Sequence, residues 1–322
     1  MQEIENGIGH QVSKTYRAMG TRIDLTLFGV KETRFLDEAY QLILDYEALF
    51  TVNRADSELM KINQMAGIKP VQVPLVVYRL CQRALEESMK ADGFNALIGP
   101  VVKLWHIGFS DAKRPVSTDI AKKRALIDPQ DVVINDRNLS VFLKKKGMEL
   151  DLGAIAKGFI ADKIQLFWQA KGLESGIINL GGNLLLMGNA PIHADGLWRV
   201  GIRNPLQKTT RSILQVLTPA QSFVTSGISE RFLDVEGKRY HHILDSRTGY
   251  PHENDIASVT VLTPRSVDGE VESTRLFFAD GNGNHTQNPA IIVRKDFTIE
   301  LLHLDEKRVH LSDARFSLLK SS

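Results

Sequence analysis

The sequence is most informative first in what it lacks. It has a single cysteine, Cys81. One thiol cannot close a disulfide within the chain, nor build a cysteine-ligated zinc site. It has no apolar run near the ~18 residues that would suggest a membrane-spanning helix. It has no excess of either charge: 40 basic against 38 acidic residues leave a net +2, which gives no electrostatic case for nucleic acid as the main partner. Its three tryptophans and six tyrosines are scattered and form no stacking platform. There is no internal repeat and no low-complexity linker. The opening residues Met1 to Asn6 lack the basic and apolar regions of a signal peptide, so the expected location is the cytoplasm. An exported protein whose leader has been removed is the alternative. What remains is 322 residues with 43% hydrophobic and 24% charged content, ordinary for a globular protein of one large or two modest domains.

Periodicity places the elements. Residues 1–13 read as a loose arm, and 14–318 as a single domain, helix-rich in its first half and strand-rich in its second. Two strands are expected around Met19-Gly20-Thr21, with Ile23, Leu25 and Leu27 on one face. Helices follow over 32–50, with one apolar face, and over 57–65, capped by Asp56 or Ser57. Further helices are expected over 75–91, over a short stretch ending at Trp105, and over 119–126. Strands at 132–134, 139–143 and 147–152 lead into a helix over 154–171. Beyond it come short β-rich segments, then a helix over 266–278 and three final strands. Helices early and strands late argue for an α+β fold with mixed or antiparallel sheets and packed helices.

Five stretches carry candidate chemistry. In Asp151-Leu152-Gly153-Ala154-Ile155-Ala156-Lys157, a glycine turn leads into a helix. Its free N–H groups and positive dipole end, framed by a carboxylate and an ammonium, suit a phosphate and a metal. Asp151 as a mere cap and Lys157 as a surface charge is the plainer reading. Asn179-Leu180-Gly181-Gly182-Asn183 permits close backbone approach to a ligand, or a tight hairpin. Thr225-Ser226-Gly227 suits a phosphate or a ribose, or is simply a loop. In Tyr240-His241-His242-Ile243-Leu244-Asp245-Ser246-Arg247, adjacent histidines on a strand face opposite ways, so at most one serves a given site as proton carrier. Asp245 and Arg247 add a carboxylate and a phosphate fork. Glu270 and Thr274, four apart on a helix, put two oxygens on one face, a set suited to hard Mg²⁺ or merely solvated.

The order of these pieces is more specific than any one of them. Met19-Gly20-Thr21, Asp56-Ser57-Glu58-Leu59 with Asn63, Gly99-Pro100 through Trp105, Asp151 through Gly158, Asn179 through Gly182, Thr225-Ser226-Gly227, His242 through Gly249, Ser258 through Val261, and Ser273-Thr274 follow one another. Together they resemble the ApbE family of flavin transferases, the FAD:protein FMN transferases, over about residues 14–280. The resemblance implies an α+β fold and an enzyme that binds FAD and Mg²⁺. Such an enzyme cleaves the diphosphate, attaches FMN by a phosphoester to a threonine or serine of a target flavoprotein, and releases AMP. Hydrolysis of FAD to FMN and AMP, or flavin binding without catalysis, are the alternatives. Carried over by residue, the resemblance implies that the Ala154 carbonyl, Glu270 and Thr274 hold the metal. Met19, Asn53, Phe94, Asn95, Ala96, Asp151, Lys157 and Ile243 surround the cofactor, and His242 takes the acceptor's proton. The chain departs from the family pattern in several places. Glu270 replaces an aspartate, Asn95-Ala96 an Asp-Pro, Asn53 an aromatic residue, Ser246 a proline, and Ile228-Ser229 an Asp-Tyr.

Overall fold

The computed structural model describes residues 10–207 and 211–319. The chain opens on a hairpin of β1 (Gln11–Ala18) and β2 (Thr21–Phe28). Its turn residues Met19 and Gly20 both have positive φ, 51° and 69°, as a type I′ turn requires. Of the expected arm, residues 1–9 lie outside the described residues, while 11–13 pair with β2. Helices α1 (Arg34–Phe50) and α2 (Glu58–Gln64) follow, and the Ser57 hydroxyl accepts from the Met60 N–H at 3.0 Å to start α2. A minor layer is built by β3 (Val71–Gln72), α3 (Leu75–Ser88), α4 (Gly99–Trp105), α5 (Ser117–Arg124), β4 (Val132–Asn135) and β5 (Ser140–Leu143).

Helix α6 (Ala156–Ala170) then leads to β6 (Ser175–Leu180), β7 (Asn183–Met187), β8 (Trp198–Arg203), β9 (Ser212–Thr218) and β10 (Ser222–Gly227). A small ribbon, β11 (Phe232–Val235) with β12 (Lys238–His241), precedes β13 (Ile256–Thr263) and α7 (Ser266–Phe278). The chain closes on β14 (Ala290–Arg294), β15 (Thr298–Leu302), β16 (Val309–Leu311) and β17 (Ser317–Leu318). Among the described residues no helix is long and apolar enough to cross a membrane.

Among the described residues, nine strands form one sheet in the order β1-β2-β6-β7-β10-β13-β14-β15-β17. Every pairing in it is antiparallel except β15 with β17. All eight residues of β13 are buried, because this strand has cover on both faces. Val259 and Val261 pack towards α7 through Leu276 and Phe277. Leu262 packs with Val200, Ile202, Leu214 and Val216 of the three-stranded sheet β16-β9-β8. The largest core lies between β2, β6 and the helices, around Ile23, Leu25, Ile43, Trp105, Ile160 and Trp168.

Two expectations fail near α6. Residues 147–152 form no strand. Met148, Leu150 and Leu152 do alternate into the core, but the backbone between them is held by other means. The Asn63 amide bonds both the N–H (2.8 Å) and the carbonyl (2.9 Å) of Leu150, and the Asp151 N–H donates to the Ala96 carbonyl at 2.8 Å. A side chain thus takes the place of a neighbouring strand. Helix α6 starts at Ala156 rather than 154, because the Ile155 and Ala156 N–H groups both turn back to the Leu152 carbonyl. The helix expected to run to Ala91 stops at Ser88.

Candidate functional site

The corner at the start of α6 is fixed by short-range bonds. The Asp151 carboxylate accepts the Gly153 N–H at 2.8 Å, which tightens the turn. Burial pushes the Asp151 carboxyl above its ordinary range, opposed by the Gly153 N–H, Lys103 and Arg231. Ala154 is exposed on this turn, and its carbonyl accepts no hydrogen bond among the described residues.

Helix α7 is pinned to α6 at this corner. A Cβ on Gly158 would lie 2.5 Å from the Ser266 carbonyl oxygen and 2.7 Å from the Glu270 Cγ, so only glycine permits the crossing. Four residues on, the Asp162 carboxylate accepts from the Ser266 (2.7 Å) and Val267 (3.0 Å) N–H groups and caps α7 from the neighbouring helix. Burial raises the Asp162 carboxyl to about 6 against these bonds.

Glu270 is 6% exposed. Its Oε1 accepts from the Asn183 side-chain amide at 2.8 Å and lies 3.7 Å from the Lys157 Nζ. The Ser266 hydroxyl donates to the other end of Asn183 at 2.7 Å, which sets that amide's orientation. Thr274 donates its hydroxyl proton to the Glu270 carbonyl at 2.9 Å, leaving its lone pairs free. The structure therefore brings Lys157, Glu270 and Thr274 together, with Asn183 as the residue that aims Glu270. At the far side of α7, Arg275 pairs with buried Glu87 and, at 2.5 Å, with Asp92, tying α7 to the segment before Phe94.

The donors expected to hold a metal are a carboxylate, a hydroxyl and a backbone carbonyl. All are hard oxygens of the kind magnesium takes. Among the described residues no group of three or more His, Cys, Asp or Glu could hold a metal ion. The set fits magnesium only in the manner of sites where one carboxylate serves and substrate phosphates complete the shell.

The two histidines diverge as neighbours on a strand should. His241 Nε2 bonds the His252 carbonyl at 2.9 Å, and its ring meets Phe277 edge-on. His242 places both its N–H and its Nδ1 3.2 Å from the Arg231 carbonyl oxygen. That oxygen can only accept, so Nδ1 carries the proton and Nε2 keeps a free lone pair. Burial pulls both imidazolium groups down to about 4, with Arg231 and Lys157 adding to the effect at His242. Both rings are neutral at pH 7, the state a base requires.

Other expected residues are placed differently. Phe94 is 3% exposed and packs into the main core, so its ring offers little to a ligand. Asn95 spends both ends of its amide on the fold, donating to the Ile127 carbonyl at 3.0 Å and accepting from the Leu97 N–H at 2.8 Å. Ala96 contributes backbone only, to Ser88 and Asp151. Asn53 is exposed in the loop after α1, where its N–H bonds the Thr51 hydroxyl. Ile243 packs against the core of Val259, Val261, Leu276 and Phe277. Met19 is half-buried, with its N–H on the Glu47 carboxylate at 2.8 Å. The Thr225 and Ser226 hydroxyls bond Thr260 (2.8 Å) and Ser273 (2.9 Å), tying β10 to β13 and α7. Arg247 forks onto Asp245, with Nη2 at 2.7 Å, so its guanidinium already has a carboxylate partner. A cleft of about 460 Å³ lined by Arg114, Tyr240, Asp245, Tyr250 and His252 includes none of Lys157, Glu270 or His242.

Sequence reasoning missed Arg231. Its stem lies 2.8 Å from where a Cβ on Gly108 would stand, and its Nη2 lies 3.5 Å from that of Gly20. The available signal was a basic residue four positions past Thr225-Ser226-Gly227, within reach of the same corner.

Comparison with known proteins gives the family and the fold. The model of the ApbE family matches residues 19–287. A protein of Klebsiella pneumoniae (strain 342) named FAD:protein FMN transferase is 45% identical over 260 residues, covering 80% of this chain and 79% of that protein. One of the same name from Treponema pallidum (strain Nichols) is 39% identical over 254 residues, covering 75% and 70%. The crystal structure of the ApbE protein from Thermotoga maritima superposes with a TM-score of 0.83 over 91% of this chain and 97% of that one, at 23% identity, a likeness of fold.

Proposed function

The chain belongs to the ApbE family, and we propose that it is an FAD:protein FMN transferase working at the corner between α6, α7 and His242. The observation that carries the reading is the pairing of a phosphate-and-cation corner with a neutral histidine beside it. Lys157, Glu270 and Thr274 supply the corner, and His242 has its Nε2 lone pair free.

The reaction joins an acceptor hydroxyl of a threonine or serine on a target flavoprotein to the FMN phosphorus of FAD. The acceptor oxygen forms the new P–O bond, and the P–O bond to the AMP phosphate breaks. His242 Nε2 takes the acceptor's proton, and AMP leaves with the bridging oxygen. Lys157 and the first-turn N–H groups of α6 face the diphosphate charge. Asp151, at the turn before them, borders the cofactor, and Met19 and Ile243 lie at its rim. Magnesium, held by Glu270, Thr274 and the Ala154 carbonyl, would supply charge neutralisation on the diphosphate oxygens. Asn183 holds the Glu270 carboxylate in place, and Lys157 is the cation it faces otherwise.

The test is incubation of the protein with FAD and magnesium, with and without a candidate flavoprotein, followed by chromatography of the nucleotides. AMP release that requires the acceptor supports transfer. FMN and AMP released without an acceptor would mark a pyrophosphatase. FAD recovered intact in both cases would mark a flavin binder.

A further inference from the structure

Arg231 has no place in the function just described, yet the structure holds it against His242 at the rim of the site. It follows β10 and precedes β11, and three independent contacts fix it. Its stem is seated over Gly108, where a Cβ would come within 2.8 Å of the Arg231 Cδ. Its Nη2 reaches the β1–β2 turn at Gly20, the turn that also carries Met19. Its backbone carbonyl receives both the N–H and the Nδ1–H of His242. The other cations of the corner have carboxylates to face: Lys157 faces Glu270 at 3.7 Å and Lys103 faces Glu149 at 2.6 Å. Among the described residues, no carboxylate lies within ion-pair distance of Arg231, and its side chain is exposed. A guanidinium held at its stem, free at its fork and joined through its own carbonyl to the proposed base is shaped to receive an anion.

We propose that Arg231 is the residue by which this site selects a diphosphate-bearing flavin over the free isoalloxazine, its guanidinium forking onto the diphosphate while its carbonyl keeps His242 turned towards the same group. The inference rests on the flavin reading of the site. It assigns to one residue two tasks that must agree in space. The anion is placed by the fork and the base by the carbonyl, about one side-chain length apart. A ligand without phosphate engages neither the fork nor Lys157, and so gains nothing from either.

The test compares FAD with riboflavin by flavin fluorescence titration in magnesium-free buffer, for the wild-type protein, Arg231→Gln and Arg231→Lys. Loss of a charge-assisted fork is expected to weaken FAD binding on the order of tenfold or more. Riboflavin binding should be unchanged, and Arg231→Lys should recover part of the loss because a point charge replaces the fork. The salt dependence of FAD binding should also become shallower in Arg231→Gln. Equal losses for both flavins, with a lowered melting temperature, would mean a structural role and overturn the proposal. So would unchanged FAD binding in Arg231→Gln. A wild-type protein that prefers FAD through Arg231 but transfers nothing would retain this inference and overturn the transferase reading. A wild-type protein that binds neither flavin would overturn both.

Discussion

Two regions meet at the site and are built by opposite means. The corner between α6 and α7 is held by close packing and a buried carboxylate. Gly158 lets the helices touch, Asp162 caps one helix from the other, and Asn183 aims a carboxylate that is 6% exposed. The rim that carries Arg231 and His242 is a short ribbon and its flanking loops, fixed by the Arg231 stem against Gly108 and by the His242 N–H and ring N–H on the Arg231 carbonyl. The difference separates tasks. Groups that must hold charge in one geometry sit where packing leaves no alternative. Groups that meet a substrate and an acceptor sit where side chains can still reach solvent. Changes in the corner should therefore register in stability and activity together, and changes at the rim in activity alone.

The largest expected break of this contrast is Gly158→Ala. The new methyl meets a backbone oxygen at 2.5 Å, which cannot move without shifting α7. A loss of about 1–3 kcal/mol is expected, read by thermal or denaturant unfolding, with activity lost as well. Unchanged stability would show that the crossing has slack. Asn183→Ala comes next. It removes the donor to Glu270 and orphans the Ser266 hydroxyl, and should cost about 1–3 kcal/mol while weakening any dependence on added magnesium. Magnesium titration of activity in this variant separates aiming from packing.

The smallest expected effect is on pH dependence. His241 and His242 have folded pKa values of about 4, below the ordinary 6.5. A depressed base is neutral in the fold, so its stabilising contribution is complete above pH 6.5 and is lost as pH falls through 4. Asp162, raised to about 6 from 3.8, acts oppositely. Its contribution is complete below pH 3.8 and is lost as pH rises through 6. Unfolding curves between pH 7 and 4 should therefore slope less in His241→Asn than in the wild-type protein, and more in Asp162→Asn. An unaltered profile in both would contradict the burial assigned to these groups.

The corner was largely legible in the sequence, while at the rim His242 and Met19 were singled out and Arg231 was not. Glu270 and Thr274 were legible because helical spacing converts directly into a shared face, and Lys157 because it lies in the first turn of a helix entered from a glycine turn. The hairpin around Met19-Gly20 was legible because Ile23, Leu25 and Leu27 alternate on one face of a strand. The strand expected at 147–152 failed because alternation reports burial and not the hydrogen-bond partner, which here is the Asn63 side chain. Asn95 and the Thr225-Ser226 hydroxyls looked available, but their partners lie 32, 35 and 47 residues away along the chain. Arg231 was missed because its one local signal, a basic residue four positions past Gly227, does not show what it faces. Its position is set by Gly20, Gly108 and His242, three stretches that only the fold brings together.

The account stands most directly on the mass of an acceptor flavoprotein after incubation with FAD, magnesium and this protein. With the wild-type protein it should rise by one FMN, and with His242→Ala it should not, although that variant still binds FAD. An acceptor that gains FMN equally from His242→Ala would contradict the role assigned to this histidine, and one that gains nothing from the wild-type protein while FMN accumulates free would contradict transfer itself.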